Sequence, residues 1–352
     1  MIQREGHGLQ LAYGPWGETF DELLTSARDA QAAGARSLWT AEFDRSGFVQ
    51  AAAVANVASD ARIGTGIALA FVRSPLITAL TALDMHDLSH GRFVLGLGTG
   101  VRRLNERWHG VEFDHPVDRL RTTIALIREI MATSHRGESI IGTVGDRDIE
   151  IRGFRRPHPP PTTQVPVYLG ATGPAMTKLT GEIGDGLITL EVGSPAYLRD
   201  HILPNLHTGI SLGGRDRTDV EIVVSGCCIV DDDAAKAYRI GASVVAFYAS
   251  VKTYEPLFEA HDFGRECRLI QQRRKAGDVP GMIAACTDEM VHALTLAGTP
   301  DDVITSIAQY EGIADEIKLT PPTHLVHPDT TRACQRAIME LIAFGAEPRG
   351  RA

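Results

Sequence analysis

Short β-rich segments alternate with longer segments of helical periodicity along most of the chain. Apolar residues at every second position, or in short runs, are typical of strands, whereas apolar residues three and four apart are typical of helices. Glycine and proline mark most borders between the two kinds of segment. The pattern predicts eight strands, at residues 8–14, 37–41, 62–71, 92–96, 165–170, 185–190, 220–230 and 314–320.

Helical segments follow these strands and supply the connections between them. They are predicted at 18–33, at 48–59, from Pro75 to His90, up to about Thr133, and from Pro174, Pro195, Pro300 and about Thr330. A helix after each strand carries the chain back, so the next strand runs parallel to the last. Eight such units predict an α/β fold, a (β/α)8 barrel in one domain over residues 1–352. An open doubly wound sheet is the alternative.

Two segments depart from this alternation of strands and helices. Residues 136–164 combine several glycines, the alternating run RDIEIRGF and the tract RPHPPPTT, which predicts a hairpin excursion with a proline-rich return. Residues 233–293 are mostly helical and too long for one connection. They are predicted to hold the seventh helix and an inserted helical segment, so the barrel is expected to carry two insertions.

Composition and charge narrow the function. A hydrophobic content of 43% and a charged content of 22% are ordinary for a globular protein with a sizeable core. The net charge of −9 disfavours nucleic acids and membrane surfaces as partners, because both are anionic. The first residues lack the features of a signal peptide, and no apolar run is long enough to span a bilayer, so a cytoplasmic location is expected.

Cysteines and histidines give no metal signature. The five cysteines are odd in number and lack CxxC spacing, which predicts buried free thiols in a reducing compartment. His86 and His90 lie four residues apart and could share a metal. No third ligand is evident, and a histidine beside Gly91 at a helix C-terminus is the favoured interpretation. No metal site is therefore predicted.

Glycine-rich turns follow the fourth and fifth strands, at GLGTG (96–100) and GATGP (170–174). Glycine lets a ligand approach the backbone closely, and a helix N-terminus offers free N–H groups and partial positive charge. Pro174 suits the first helical position. Each turn alone could be a tight connection without a ligand, but two at one barrel face favour a phosphate-bearing cofactor. The first lacks the third glycine of a dinucleotide fingerprint, because Val101 occupies its place.

Several blocks in order between residues 36 and 320 resemble the luciferase-like flavin and deazaflavin oxidoreductases. They are GRFVLGLGTGVRRLNERWHG, VPVYLGATGPAMTKLTGEIGDGLIT and LAGTPDDVITSIAQYEGIADEIKL. RSLWTAEFD and AFYASVKTYEPLFEAHDFG are similar to an actinobacterial subgroup of F420-dependent oxidoreductases. The resemblance implies an enzyme on an eight-stranded barrel, usually a homodimer, that holds its cofactor at the carboxyl ends of the strands and acts on a small molecule.

The same resemblance assigns cofactor-binding residues. The cofactor phosphate would lie at Gly170, Ala171, Thr172, Gly173 and Pro174. Its tail or ring would be lined by Gly98, Thr99, Gly100 and Asn105. Gly66 and Ile67 match a bulge that often carries a non-proline cis peptide behind the ring in this family.

Acid–base chemistry is less well defined by the resemblance. Glu42 falls where relatives carry an acidic residue before a histidine near the ring, and it is the predicted catalytic residue. Phe43 stands in the histidine's place, which puts the relatives' proton chemistry in doubt. Tyr13, Tyr248 and Tyr254 are predicted substrate contacts, with packing at the barrel mouth or at a dimer interface as the alternative.

The leading functional hypothesis is an F420-dependent oxidoreductase that transfers a hydride between deazaflavin C5 and a small organic substrate. Arg73, Arg102 and Arg103 would then offset the protein's negative charge beside the anionic tail. An FMN-dependent monooxygenase would use the same phosphate turn and is the first alternative. A barrel that binds a flavin or another ligand without turnover is the second, and a metal-dependent barrel hydrolase is the least favoured.

Overall fold

The computed structural model describes residues 8–346, and its central sheet is a ring of eight strands. The strands are β1 (Gln10–Tyr13), β2 (Ser37–Thr40), β3 (Arg62–Thr65), β4 (Ala68–Leu69), β5 (Phe93–Gly98), β6 (Ile140–Val144), β7 (Arg147–Ile151), β8 (Val167–Gly170), β9 (Gly186–Ile188), β10 (Glu221–Val230), β11 (Leu296–Gly298) and β12 (Glu316–Thr320). The order in the ring is β1-β2-β3-β5-β8-β9-β10-β12, and β12 pairs in parallel with β1. The predicted (β/α)8 barrel is confirmed.

Helices follow the barrel strands where the periodicity predicts them. They are α1 (Phe20–Ala32), α2 (Gly47–Ala55), α3 (Pro75–Leu88), α4 (Pro116–Thr133), α5 (Pro174–Ile183), α6 (Pro195–Tyr197), α7 (Leu203–Leu212), α8 (Ala234–Ala249), α9 (Glu255–Glu259), α10 (Gly264–Lys275), α11 (Val279–Ala284), α12 (Asp288–Leu294), α13 (Pro300–Ala308) and α14 (Pro328–Ala346). Within residues 8–346, no helix combines the length and apolarity needed to cross a bilayer.

Both predicted insertions are present. β6 and β7 form an antiparallel hairpin in which Val144 pairs with Arg147 across a turn containing Gly145 at φ 63°. The positive φ explains the glycine at this turn. The second segment holds α8, the seventh barrel helix, followed by the inserted helices α9 to α12. The short strand β11, which pairs with β10, was not predicted, because three residues are too few to show a period.

Contacts divide the chain into two compact units. The terminal unit comprises the described residues up to Leu38, Thr189–Pro204 and Glu221 onward, and the central unit comprises Trp39–Ile188 and Asn205–Val220. The core of the terminal unit includes Val244, Val245, Phe258, Ile270 and Met290. The core of the central unit includes Trp39, Ile63, Phe93, Leu95 and Ile124. The single domain over residues 1–352 stays a prediction.

All five cysteines carry free thiols, as predicted. Cys227, Cys228, Cys267 and Cys334 are buried, and Cys286 is partly exposed. Burial raises the pKa of Cys267 and of Cys334 from 9.0 to about 11, and that of Cys286 to about 12. These thiols therefore stay protonated in the folded protein at pH values where an unfolded chain would ionise them.

We expect the native thiols to react slowly with a disulfide reagent at pH 8, because the thiolate is the nucleophile. Cys286 should react first in spite of its raised pKa, because it is the thiol that is partly exposed. Unfolding by urea should expose all five thiols.

The same pKa shifts predict that the free energy of unfolding decreases as the pH rises from about 9 towards 11, since only the unfolded thiols release protons in that window. Thiol titration and urea midpoints at pH 8 and 10 measure both effects. Rapid reaction of several thiols in the native state would contradict the prediction, and Cys286→Ser should remove the fastest phase.

Candidate functional site

The third barrel strand is interrupted by a cis peptide between Gly66 and Ile67, at the position that the resemblance indicates. β3 ends at Thr65, and the chain resumes as β4. The Gly66 N–H donates to the Thr40 carbonyl at 2.7 Å, and the Thr65 hydroxyl donates to the Gly96 carbonyl at 2.7 Å. The predicted single strand over 62–71 is therefore corrected to two short strands, because the backbone turns between them.

The Ile67 side chain fills space that two glycines leave open. A Cβ on Gly98 would lie 2.9 Å from Ile67 Cδ1, and a Cβ on Gly170 would lie 2.9 Å from Ile67 Cγ2. Such approaches are too close for real Cβ atoms. Packing of Ile67 therefore accounts for both glycines, which the sequence interpretation attributed to the approach of a ligand. Their contact with a cofactor stays a prediction.

Asn105 holds the turn that follows β5. It is fully buried in a short π-helical segment, and its Nδ2 donates to the carbonyls of Thr99 at 2.8 Å and Val101 at 3.1 Å. Gly100 takes a φ of 65°, where a side chain would also meet Leu69 at 2.7 Å. Within residues 8–346 no partner is found for the buried Asn105 Oδ1. An unsatisfied buried acceptor of this kind suits a water or a ligand donor.

The turn after β8 has the features of an anion site. α5 begins at Pro174, and Gly173 at its N-cap provides no side-chain cap. Nothing lies within 4 Å of a Cβ built on Gly173. By contrast, the Ser46 and Ser74 side chains cap α2 and α3. The N-cap residue of α5 therefore offers no side-chain acceptor to the first-turn N–H groups, and a phosphate would supply one.

Glu42 is engaged by neighbours in its own unit. Its Oε2 accepts from Arg73 Nη1 at 2.8 Å and from the Leu69 N–H at 2.8 Å, and its Oε1 accepts from Arg73 Nη2. The Glu42 side chain is 10% exposed. A bidentate pair that also binds the β4 backbone favours a role in positioning the segment after the cis peptide. Catalysis by Glu42 stays a prediction. The guanidinium of Arg73, predicted beside the cofactor tail, is already paired with Glu42.

An exposed aromatic pair stands near the position of the missing family histidine. Phe43 is 53% exposed, Trp108 is 62% exposed, and their ring centroids are 5.9 Å apart. Neither side chain can exchange a proton, so Phe43 offers no substitute for histidine chemistry. Arg102 forms ion pairs with Glu106 and Asp114 at the surface. These two carboxylates balance the positive charge of Arg102, so a cofactor anion is not needed to explain it.

A cavity of about 890 Å³ lies in the central unit, apart from the glycine turns. It is lined by residues of three segments and by the tip of the hairpin, including Ala70–Pro75, Asp114, Asp118, Arg119 and Val144–Ile149. None of the residues predicted to bind the cofactor phosphate or ring lines it, although Arg73, predicted beside the anionic tail, does. Because acidic and basic side chains are mixed there, the uncapped α5 turn is the better phosphate site.

His86 gives no support to a metal centre. It is 5% exposed near the end of α3, and its Nε2 lies 3.3 Å from the Thr163 hydroxyl. Burial lowers the pKa of His86, which favours the neutral ring. Among the side chains of residues 8–346, no three His, Cys, Asp or Glu come together as metal ligands would.

The three predicted substrate tyrosines have different surroundings in the terminal unit. Tyr13 is fully buried, and its hydroxyl accepts a hydrogen bond from Gln335 Nε2 of α14 at 2.9 Å. This geometry favours the packing interpretation for Tyr13. Tyr248 and Tyr254 lie together, with ring centroids 5.6 Å apart. Burial, then the charge of Glu191, raises the pKa of both tyrosines.

A carboxylate that was not predicted stands beside these tyrosines. Glu191 Oε2 accepts from the Tyr248 hydroxyl at 3.0 Å, and Oε1 lies 3.8 Å from Lys318 Nζ. Lys318 is 3% exposed in β12, and burial lowers its pKa. Glu191 comes three residues after β9, so the rule that barrel sites follow the strands would have found it. Lys318 gives no such signal, because a lysine within a strand is usually an exposed edge residue.

Comparison with known proteins identifies the relatives of this chain. The family model of the luciferase-like monooxygenases matches residues 2–316. An uncharacterized protein of Mycobacterium tuberculosis is 31% identical over 285 residues, which are 79% of this chain and 84% of the relative. The 5,10-methylenetetrahydromethanopterin reductase of Archaeoglobus fulgidus is 27% identical over 290 residues, 80% of this chain and 82% of the relative.

Two solved structures have the same architecture. The coenzyme F420-dependent tetrahydromethanopterin reductase of Methanopyrus kandleri superposes with a TM-score of 0.79 at 21% identity, covering 95% of this chain and 97% of that one. The oxygenating constituent of a Pseudomonas putida diketocamphane monooxygenase, in complex with FMN, gives 0.66 at 16% identity, with coverages of 97% and 98%. These likenesses support the barrel, and the family match identifies the chain as a member of the luciferase-like monooxygenase family.

Proposed function

We propose that this protein is an F420-dependent oxidoreductase that transfers a hydride between the deazaflavin and a small organic substrate. The observation that carries the proposal is the N-terminus of α5, where the N-cap residue Gly173 supplies no side-chain cap and leaves open space beside the first turn. A phosphate group would fill the open space and accept hydrogen bonds at the helix N-terminus. In the turn after β5, the buried Asn105 Oδ1 has no partner in the described chain and is an acceptor that the protein leaves unsatisfied.

The relatives favour F420 over FMN. The named relative from Archaeoglobus fulgidus is a reductase, and the superposed reductase of Methanopyrus kandleri is described as F420-dependent. F420 supplies hydride chemistry when bound, and the protein's task is to position and shield it. FMN is the alternative, because the α5 turn would accept its phosphate equally well and the superposed Pseudomonas putida protein binds FMN.

Separate titrations with F420 and FMN, followed by fluorescence quenching, test the proposal. We expect tight binding of F420 and weak binding of FMN. The reverse order would make the protein an FMN-dependent monooxygenase. Failure of both cofactors to bind would overturn the phosphate assignment, and binding of F420 without hydride exchange would favour the non-catalytic alternative.

Substitution at Gly173 tests the phosphate site itself. Aspartate and asparagine both cap a helix N-terminus well, but only aspartate places a negative charge there. We expect Gly173→Asp to weaken F420 binding about tenfold or more, while Gly173→Asn stays within about threefold of the wild type. The difference should shrink as salt is raised. Equal affinities of the two variants would show that no phosphate lies at α5.

A further inference from the structure

A serine and a histidine from distant parts of the sequence meet in the terminal unit. Ser194 follows β9 and caps α6, and His261 lies in the turn between α9 and α10. The Ser194 hydroxyl oxygen is 2.8 Å from His261 Nε2. The sequence around Ser194, from Val192 to Pro195, is not the GxSxG motif of a nucleophile elbow. The pair is therefore visible only in the folded chain.

The backbone fixes which nitrogen of His261 carries the proton. His261 Nδ1 lies 2.7 Å from the Leu257 carbonyl oxygen, which can only accept a hydrogen bond. Nδ1 is therefore the protonated nitrogen of the neutral ring, and Nε2 presents its lone pair to Ser194. A histidine in this tautomer, held by a third group at Nδ1, is suited to act as a general base towards a hydroxyl.

The Ser194 oxygen has a donor on one side and a base on the other. It accepts a hydrogen bond from the Tyr197 N–H at 3.0 Å, while its own O–H group donates to His261 Nε2. A hydrogen bond to Oγ stabilises the negative charge that develops there when the proton leaves. Both contacts therefore favour Ser194 as a nucleophile.

Aromatic rings hold the imidazole in place. The His261 ring stacks with Tyr197 at 5.7 Å and with Phe263 at 6.1 Å between ring centroids, with interplanar angles of 25° and 5°. Ser194 is 7% exposed, whereas the two aromatic residues and His261 are each partly exposed. A hydroxyl with little exposure beside partly exposed rings favours a small, uncharged ligand.

Ser250 provides a comparison within the same unit. It is 8% exposed, accepts a hydrogen bond from Arg274 Nη1 at 2.8 Å and donates one to the Phe247 carbonyl at 2.6 Å. Ser250 thus has the burial and the hydrogen bonding of Ser194, but a backbone carbonyl does not take up its proton. The imidazole beside Ser194 does, and this difference carries the inference.

We propose that Ser194 and His261 hydrolyse small, uncharged carboxylic esters, an activity separate from the proposed hydride transfer. The Ser194 O–H bond breaks, its proton goes to His261 Nε2, and Oγ bonds to the carbonyl carbon of the ester. The ester C–O bond then breaks, and the alcohol leaves with the proton from His261. Water attacks the acyl-serine while His261 takes a proton from the water. Ser194 recovers that proton as the acid is released, so the cycle consumes one water and no redox partner.

Diisopropyl fluorophosphate, a small reagent that phosphorylates activated serines, tests the nucleophile without F420 or turnover. We expect the full chain to be labelled at Ser194, as mapped by mass spectrometry of its peptides, while Ser250 stays unlabelled in the same sample. Ser194→Ala should lose this label, and the matched control Ser250→Ala should keep it. Wild-type protein without a label at Ser194 would overturn the proposal, and this result requires no variant to fold.

His261→Gln tests the base, because glutamine can hydrogen-bond to Ser194 but cannot take its proton. Labelling of Ser194 and hydrolysis of 4-nitrophenyl acetate should each become about 100-fold slower or more. His201→Gln is the matched control, since His201 also stacks on Tyr197, at 4.9 Å between ring centroids. Both rates should stay close to the wild type in this control.

Two results would reject the proposal at this step. Unchanged rates in His261→Gln would show that the histidine only holds Ser194 in place, and ester hydrolysis that persists in Ser194→Ala would come from another group. Neither measurement involves F420, so failure of the proposed hydride transfer would leave this proposal standing.

Discussion

Replacement of Gly96 by alanine is expected to be among the most destabilising single substitutions in this protein. A Cβ at this position would lie 1.8 Å from the backbone carbonyl oxygen of Thr65 and 3.0 Å from Ile188 Cδ1. A backbone atom in a strand cannot rotate away as a side chain can, so β3 or β5 must shift. We expect a loss of about 3 kcal/mol or more in the free energy of unfolding, at the upper end of overpacking effects. The urea midpoint measures it.

Gly193→Ala is the matched control for this prediction. Nothing lies within 4 Å of a Cβ built on Gly193, so alanine there should leave the urea midpoint nearly unchanged. A Gly96→Ala variant as stable as Gly193→Ala would mean that the two strands are further apart than the structure places them.

Truncation of Trp39 is expected to lower the free energy of unfolding by a similar amount, in this case by leaving a cavity and not by overpacking. Trp39 is 1% exposed, and its ring fills the space above Gly64, where a Cβ would lie 2.3 Å from the indole. Tyr168 is 5.8 Å away between ring centroids, and the Arg62 guanidinium lies 5.6 Å from the Trp39 ring centroid. Trp39→Ala therefore leaves a large cavity and should cost about 3–5 kcal/mol of the free energy of unfolding.

The conservative substitution Trp39→Phe keeps most of the ring volume and should cost less than half as much as Trp39→Ala. Unfolding followed by circular dichroism compares the two without relying on the removed fluorophore. Equal stability of Trp39→Ala and Trp39→Phe would show that the indole is not packed as the structure indicates. Trp108→Phe, at an exposed position, controls for the loss of a tryptophan in itself.

Much of the barrel could be predicted because its signals are local. Strand and helix periods, the prolines at the starts of α3 and α5, and the glycine turn of the hairpin each depend on a few consecutive residues. The site was predictable in part. The Gly173–Pro174 turn and the cis peptide at Gly66 were located, the first from turn chemistry and the second through family resemblance.

Other features of the site depend on residues that are distant in the sequence. The sequence predicts a ligand at Gly98 and Gly170, whereas the structure places Ile67, from the segment between β3 and β4, against both. The sequence predicts Glu42 as a catalytic residue and gives no sign that Arg73 pairs with it. The cluster of Glu191, Tyr248 and Lys318 joins a turn, a helix and a strand, and no spacing rule connects them.

The amino-acid sequence by itself determined the order of the barrel strands and their helices, the parallel barrel, the two insertions and the glycine–proline turn at the start of α5. These follow from backbone geometry and from the burial of alternating or helical apolar faces, which nearest neighbours in sequence already encode. Only the tertiary structure decided which glycines serve packing, which carboxylates are paired, and which serine lies beside a histidine. Those properties depend on long-range contacts, because burial and charge pairing are set by whatever side chains the closed barrel brings together.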